Sequence, residues 1–265
     1  MNHIKIAFFD VDGTLSDMNT KKISEKTIYM LKELKENGII ICIATGRAPM
    51  TIPKFDGIEF DAYLAFNGSY CFNEKEKIYS NPISSKDVKI LLEIAAEMNR
   101  PISIATSKRL AANGSDADLV EYYGFAKLEL EVAEDFEEVL KEEIYQVMLS
   151  CREEEYSSIL KNTENAKIAS WWDRAVDIIP ANGGKGNGIR KILEYYNLDK
   201  EEAIAFGDGN NDIEMLQAVG TAVAMENASD RLKEVATDVC GHVSEDGIYH
   251  YCVKNQLISS LLDET

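Results

Sequence analysis

Histidine is scarce in this chain. His3, His242 and His250 are the only three among 265 residues, and they are too scattered to suggest a metal site or a catalytic triad. The five cysteines, Cys42, Cys71, Cys151, Cys240 and Cys252, are odd in number and dispersed, with no CxxC spacing. That pattern argues against a zinc site or a disulfide framework and for reduced, mostly buried thiols. Positive charge is also in deficit: 28 Lys and Arg stand against 46 Asp and Glu, a formal net charge of −18. Such a surface repels phosphate backbones and anionic lipid, so neither nucleic acid nor membrane is expected as a partner. It repels a small anionic substrate as well, which then needs a locally positive site. No apolar run reaches membrane-spanning length, and the N-terminal residues lead into a strand-like run, Ile4 to Phe9, without the basic region or cleavage site of a signal peptide. A cytoplasmic protein is the expectation. Internal repeats and low-complexity tracts are missing too.

What is present reads as a soluble globular chain, 45% apolar and 28% charged, long enough for one large domain or a core with an inserted module. The first third alternates strand, helix, strand: Ile4–Phe9 is apolar, Ser24 can cap a helix that turns Ile28, Leu31 and Leu34 inward, Gly38 suits its end, and Ile39–Ala44 is apolar again. The last third repeats the pattern, with a helix from about Lys185, a strand at Ala203–Phe206, a helix after Asn211, a strand at Thr221–Ala224 and a helix capped by Ser229. Near-continuous apolar strands between amphipathic helices imply a parallel sheet covered on both faces, so the fold class is α/β, a doubly wound Rossmann-like core. Between the two thirds, strands and helices alternate less regularly and suggest an inserted α+β unit. The boundaries fall beside Pro82 and Pro180, giving a core of residues 1–83 and 182–265 and an insert of 84–181.

Asp10-Val11-Asp12-Gly13-Thr14 follows the first buried strand, at the edge where open α/β sheets bind ligands. Residues two apart on extended chain point the same way, so Asp10 and Asp12 can converge, although Asp and Gly after a strand also simply make turns. Gly207-Asp208-Gly209-Asn210-Asn211-Asp212 closes another buried strand, and Asp212 taken alone would read as a helix cap. Carboxylates gathered at one sheet edge repel each other unless a cation joins them, and hard oxygen donors without His or Cys favour Mg²⁺. Ala44-Thr45-Gly46-Arg47 ends the second strand and offers a hydroxyl and a glycine amide to an anion. Lys185, in Gly183-Gly184-Lys185-Gly186-Asn187-Gly188, adds full charge to a helix N-terminus; the spacing is not that of a P-loop. A carboxylate nucleophile, a neighbouring acid/base, a metal, and hydroxyl and ammonium donors are the parts of a phosphoryl-transfer site.

These four segments resemble the four motifs of the haloacid dehalogenase-like hydrolase superfamily, and the insertion between the second and third is similar to that of its Cof-type sugar-phosphatase branch. The resemblance implies a Mg²⁺-dependent phosphatase acting on a small phosphorylated metabolite, such as a sugar phosphate, through an aspartyl-phosphate. It implies Asp10 as nucleophile and metal ligand, Asp12 as general acid/base with its backbone carbonyl on the metal, and Asp208 as metal ligand. It implies Thr45, Gly46, Lys185 and Asn211 at the phosphate, with Asp212 supporting the metal shell. Asn67-Gly68 resembles a recurrent turn beside that site. In the insert, Trp171-Trp172-Asp173 and Val176-Asp177 resemble the cap exit of sugar-phosphatase relatives, where tryptophan either stacks on a sugar or fills the cap core. The acidic run Glu129–Glu143 reads as a solvated face. A sugar phosphomutase and a phospho-accepting signalling module are the rival readings. The first would return the phosphoryl group to another hydroxyl of the sugar. The second is opposed by the insert and by Asp12, an acid/base that would shorten the life of a stored phosphoryl group.

Overall fold

The structure is a computed structural model and describes residues 3–170 and 172–261. Trp171, one of the two tryptophans expected at the end of the insert, lies outside the described residues. Two compact units emerge: residues 1–46, 52–79 and 184–265 form one, and residues 47–51 and 80–183 the other.

The first unit opens with β1 (Ile6–Phe9), α1 (Glu25–Glu36), β2 (Ile40–Ala44), β3 (Ala62–Ala65), β4 (Tyr70–Phe72) and β5 (Lys77–Ser80). The second unit supplies α2 (Ser85–Glu97), β6 (Ile102–Thr106), β7 (Leu110–Ala112), α3 (Ala117–Phe125), α4 (Phe136–Val139), β8 (Ile144–Ser150), α5 (Tyr156–Ile159), β9 (Ala166–Ala169) and β10 (Ala175–Pro180). The chain then returns to the first through α6 (Lys185–Tyr196), β11 (Ala203–Gly207), α7 (Ile213–Gln217), β12 (Thr221–Ala224), α8 (Asp230–Val235), β13 (Asp238–Val239) and α9 (Gly247–Lys254).

In the first unit an eight-stranded sheet runs β13-β12-β11-β1-β2-β3-β4-β5. The pairings from β13 across to β3 are parallel, and β4 turns antiparallel on β3, so the sheet is mixed at one edge rather than wholly parallel. The central strands are apolar because both faces are covered: Ile6, Ala7, Phe8 and Phe9 have no exposed surface. Helix α1 packs with α9, while α6 packs with α7 and α7 with α8. Ser24 caps α1 by accepting from the Thr27 amide at 3.0 Å, and Met30 and Leu31, with Leu34 a turn further on, are buried on its inner face. From β1 the chain moves out to β2 and β3, and it comes back on the other side of β1 at β11. The divergence leaves a crevice at the carboxyl ends of β1 and β11, the switch point where open sheets hold ligands.

The second unit is a five-stranded antiparallel sheet in the order β7-β6-β8-β10-β9. Alternate residues of one face, Ile102, Ile104, Val147, Leu149, Val176 and Ile178, bury against Val88, Leu91 and Ala95 of α2 and Ile159 of α5. On the other face Ser103 meets Tyr123 (2.5 Å) and Asp177 accepts from Tyr122 (2.6 Å), both tyrosines on α3. The run Glu129–Glu143 is not solvated throughout, since Ala133, Phe136 and Val139 enter this core. Their spacing of three is helical, but the surrounding glutamates mask it.

Candidate active site

Asp10 is the first residue past β1 and is 6% exposed; its backbone N–H still donates to the Phe206 carbonyl of β11 at 3.0 Å. The sheet register therefore fixes where the carboxylate begins. Lys185 opens α6, 1% exposed, and its Nζ donates to Asp10 Oδ1 and Asp212 Oδ1, both at 2.6 Å. Asp212 is fully buried, and its second oxygen accepts from the Asp208 and Gly209 amides, each at 3.0 Å. It closes back over its own turn rather than capping the helix that follows. The Thr14 hydroxyl donates to Asp208 Oδ1 at 3.0 Å, which joins the segment after β1 to the segment after β11.

Glycines explain how Lys185 comes so deep. At Gly184, where φ is +150°, a Cβ would collide with the Glu214 carboxylate, and at Gly186 one would collide with the Glu214 carbonyl. At Gly188 a Cβ would press on Leu64 and Gly68. With none of these atoms present, the first turn of α6 drops onto α7 and the end of β3, carrying the ammonium between two carboxylates.

Asp10, Asp208 and Asp212 offer oxygens that all lie within 4.8 Å of one another. Burial pushes the Asp10 carboxyl well above its usual range; Lys185 opposes that, and Asp212 and Asp208 reinforce it. Burial, then Asp212, pushes Asp208 up to about 6 against the pull of Thr14. Burial alone would pull Lys185 down, but Asp10 and Asp212 outweigh it and hold the ammonium above its ordinary value. One ammonium thus faces two buried carboxylates and the half-buried Asp208, and the excess negative charge favours a further cation. The donors are hard oxygens, and Gly13, at φ +87°, keeps clear the space that a Cβ would take from the Asp208 carboxylate. This donor set fits Mg²⁺.

The Asp12 side chain stands outside that carboxylate group and is half-buried. Thr45 is buried one residue past β2, where its carbonyl accepts from the Asn67 N–H at 3.0 Å; Gly46 follows, with the Asn67 amide group 3.1 Å from where its Cβ would be. Asn211 is exposed and donates through Nδ2 to Asn67 Oδ1 at 3.4 Å. Sequence reading assigned no role to Thr14 or Asn227. The first lies inside a quoted motif; the second, whose Nδ2 donates to the Gly13 carbonyl at 2.8 Å, is 214 residues from its partner and has no local signal.

A family model described as haloacid dehalogenase-like hydrolase matches residues 7–252. The chain belongs to that family. YkrA of Bacillus subtilis, provisionally named a phosphatase, is 35% identical over 252 residues, covering 94% of this chain and 96% of its own. YitU of the same organism, named a 5-amino-6-(5-phospho-D-ribitylamino)uracil phosphatase, is 28% identical, with 91% and 94% covered. Among solved structures, the subclass IIB sugar phosphatase BT4131 of this superfamily superposes with a TM-score of 0.85 at 30% identity, over 96% of this chain and 100% of that one. This haloacid dehalogenase-like protein is therefore a hydrolase with a mixed α/β core and an inserted α+β unit. In the insert, Trp172 is half-buried between Tyr122 and Phe125, with ring centroids at 6.1 and 5.1 Å, and the Arg174 guanidinium lies over it at 4.3 Å. No described helix is long and apolar enough to cross a membrane.

Proposed function

We propose that this hydrolase is a Mg²⁺-dependent, cytoplasmic phosphatase that removes phosphate from a small phosphorylated metabolite with a sugar or sugar-alcohol backbone. The observation that carries the reading is the Lys185 ammonium held between Asp10 and Asp212, beside Asp208, at the switch point of the sheet. Five free, buried cysteines are in keeping with a reducing compartment. The substrate class is supported by what BT4131 and YitU are named for.

Asp10 attacks phosphorus through a carboxylate oxygen, and the ester P–O bond breaks as Asp12 gives its proton to the departing alkoxide. Water then attacks the aspartyl-phosphate while Asp12 takes its proton, so phosphate leaves and both carboxyl groups return to their starting state. Lys185 lies against the nucleophile and offsets charge that develops on the phosphoryl oxygens, while Thr45, Gly46 and Asn211 are donors for those oxygens. Asp212 holds Lys185 and the Asp208 turn. Asp10, Asp208 and the Asp12 carbonyl would hold Mg²⁺, which when bound neutralises the carboxylates and the phosphate dianion. Substrate selection is assigned to the insert, residues 84–181 by the sequence boundary.

Phosphate release from a panel of phosphorylated metabolites should require Mg²⁺ and stop in excess EDTA. Asp12→Asn sharpens the test because a sugar alkoxide needs a proton to leave and p-nitrophenolate does not. The loss in kcat/KM should be at least about tenfold larger for the sugar ester. Equal losses would remove Asp12 from the acid role, and transfer to another sugar hydroxyl without free phosphate would mark a mutase.

A further inference from the structure

Between β3 and β4 the backbone does something its residues disfavour. Phe66, Asn67 and Gly68 take left-handed conformations in succession, with φ of +50°, +51° and +89°. Glycine and asparagine tolerate that region, whereas a buried phenylalanine does so only when its surroundings hold it there. The surroundings here are three of the four segments that build the site. The Asn67 N–H donates to the Thr45 carbonyl (3.0 Å), and its side-chain amide faces Gly46, 3.1 Å from where a Cβ would be. Asn67 Oδ1 accepts from Asn211 Nδ2 (3.4 Å). Gly68 is so close to the start of α6 that a Cβ would collide with the Gly184 carbonyl, one residue before Lys185. Asn67 itself is 8% exposed, so these contacts are fixed by packing.

We propose that Asn67 is a positioning residue: its amide sets Asn211 and its backbone sets the Thr45-Gly46 turn, so that both present donors to the same phosphate oxygens. Asparagine keeps the left-handed backbone and adds an acceptor aimed at Asn211. The inference rests on the phosphatase reading, since it takes phosphate as the group for which Asn211 and Thr45 are positioned.

The test is the affinity of the Mg²⁺-loaded protein for inorganic phosphate, measured by calorimetry, together with kcat/KM for p-nitrophenyl phosphate and the thermal midpoint. Asn67→Gly removes the amide while easing the backbone, so Tm should stay level or rise while phosphate Kd and kcat/KM each worsen about tenfold. Asn211→Ala should give a similar loss, and the double variant should be no worse than the poorer single, because one amide acts through the other. Losses that multiply, or an Asn67→Gly protein within twofold of wild type in both readouts, would overturn the inference. A wild-type protein that turns over no phosphate ester would sink the phosphatase reading instead, and the phosphate Kd comparison would still decide Asn67.

Discussion

Taking the ammonium from Lys185 would leave Asp10 and Asp212 facing each other in a space with almost no water. Removing one partner of a buried ion pair costs about 3–5 kcal/mol because the charge left behind has no solvent. Lys185→Met should therefore lower stability in urea melts by an amount in that range, and lower kcat/KM by about 10²-fold or more, a catalytic loss that follows from removing a donor aimed at the transferring group. Arginine should not rescue it. The side chain is fully buried and its ammonium bonds two carboxylates at once, a geometry that a bulkier planar guanidinium does not reproduce. A variant with wild-type stability and activity would show that the carboxylates do not depend on Lys185.

At the level of elements, Gly186→Ala sets helix propensity against packing. Alanine in an exposed helix interior gains about 1 kcal/mol over glycine. Here the added Cβ would run into the Glu214 backbone of α7, so the sign should reverse: Tm should fall, and activity with it as Lys185 is lifted. A higher Tm would mean that α6 and α7 separate easily. On β10, burial pushes Asp177 up to about 6, and the bonds from Tyr122 and Gln146 only partly offset it. A carboxyl whose folded value is raised stabilises most below its ordinary range, near pH 4, and that contribution is lost as pH climbs through about 6. Asp177→Asn should then gain about 1–3 kcal/mol above pH 6 and flatten the dependence between pH 4 and 6, read from urea melts across pH. These elements also show what a sequence reveals. Strand β8 is legible because Ile144–Ser150 is apolar apart from Gln146 and Ser150, and α1 because Ser24 and its inward leucines are local signals. Strands β4, β7 and β13, of two or three residues, carry no period, and α9 opens after Asp246 in a left-handed conformation that no N-cap rule anticipates. The site segments were visible as carboxylates and glycines at strand ends. That Lys185 lies between Asp10 and Asp212, and that Phe66 bends left-handed, depends on strand order and packing, which no local window contains.

For the molecule as a whole, a net charge of −18 surrounds a site meant for an anion. Long-range repulsion of this kind is screened by salt, with a Debye length of about 30 Å at 0.01 M and about 8 Å at 0.15 M. At saturating Mg²⁺, kcat/KM for a phosphate ester should rise about two- to threefold across that range of KCl while kcat stays level. A fall would mean that the local field of the site prevails over the surface. The core is also discontinuous: 175 residues separate Asp10 from Lys185, and 194 separate Thr14 from Asp208. A ribosome adding about 5–20 residues per second needs roughly 10–40 s to cover that stretch. During that time β1 exists without β11, while residues 80–183 are complete before α6 is made. The residues of the insert are therefore all synthesised before the core can close, and the carboxylates after β1 meet their ammonium only when α6 is in place.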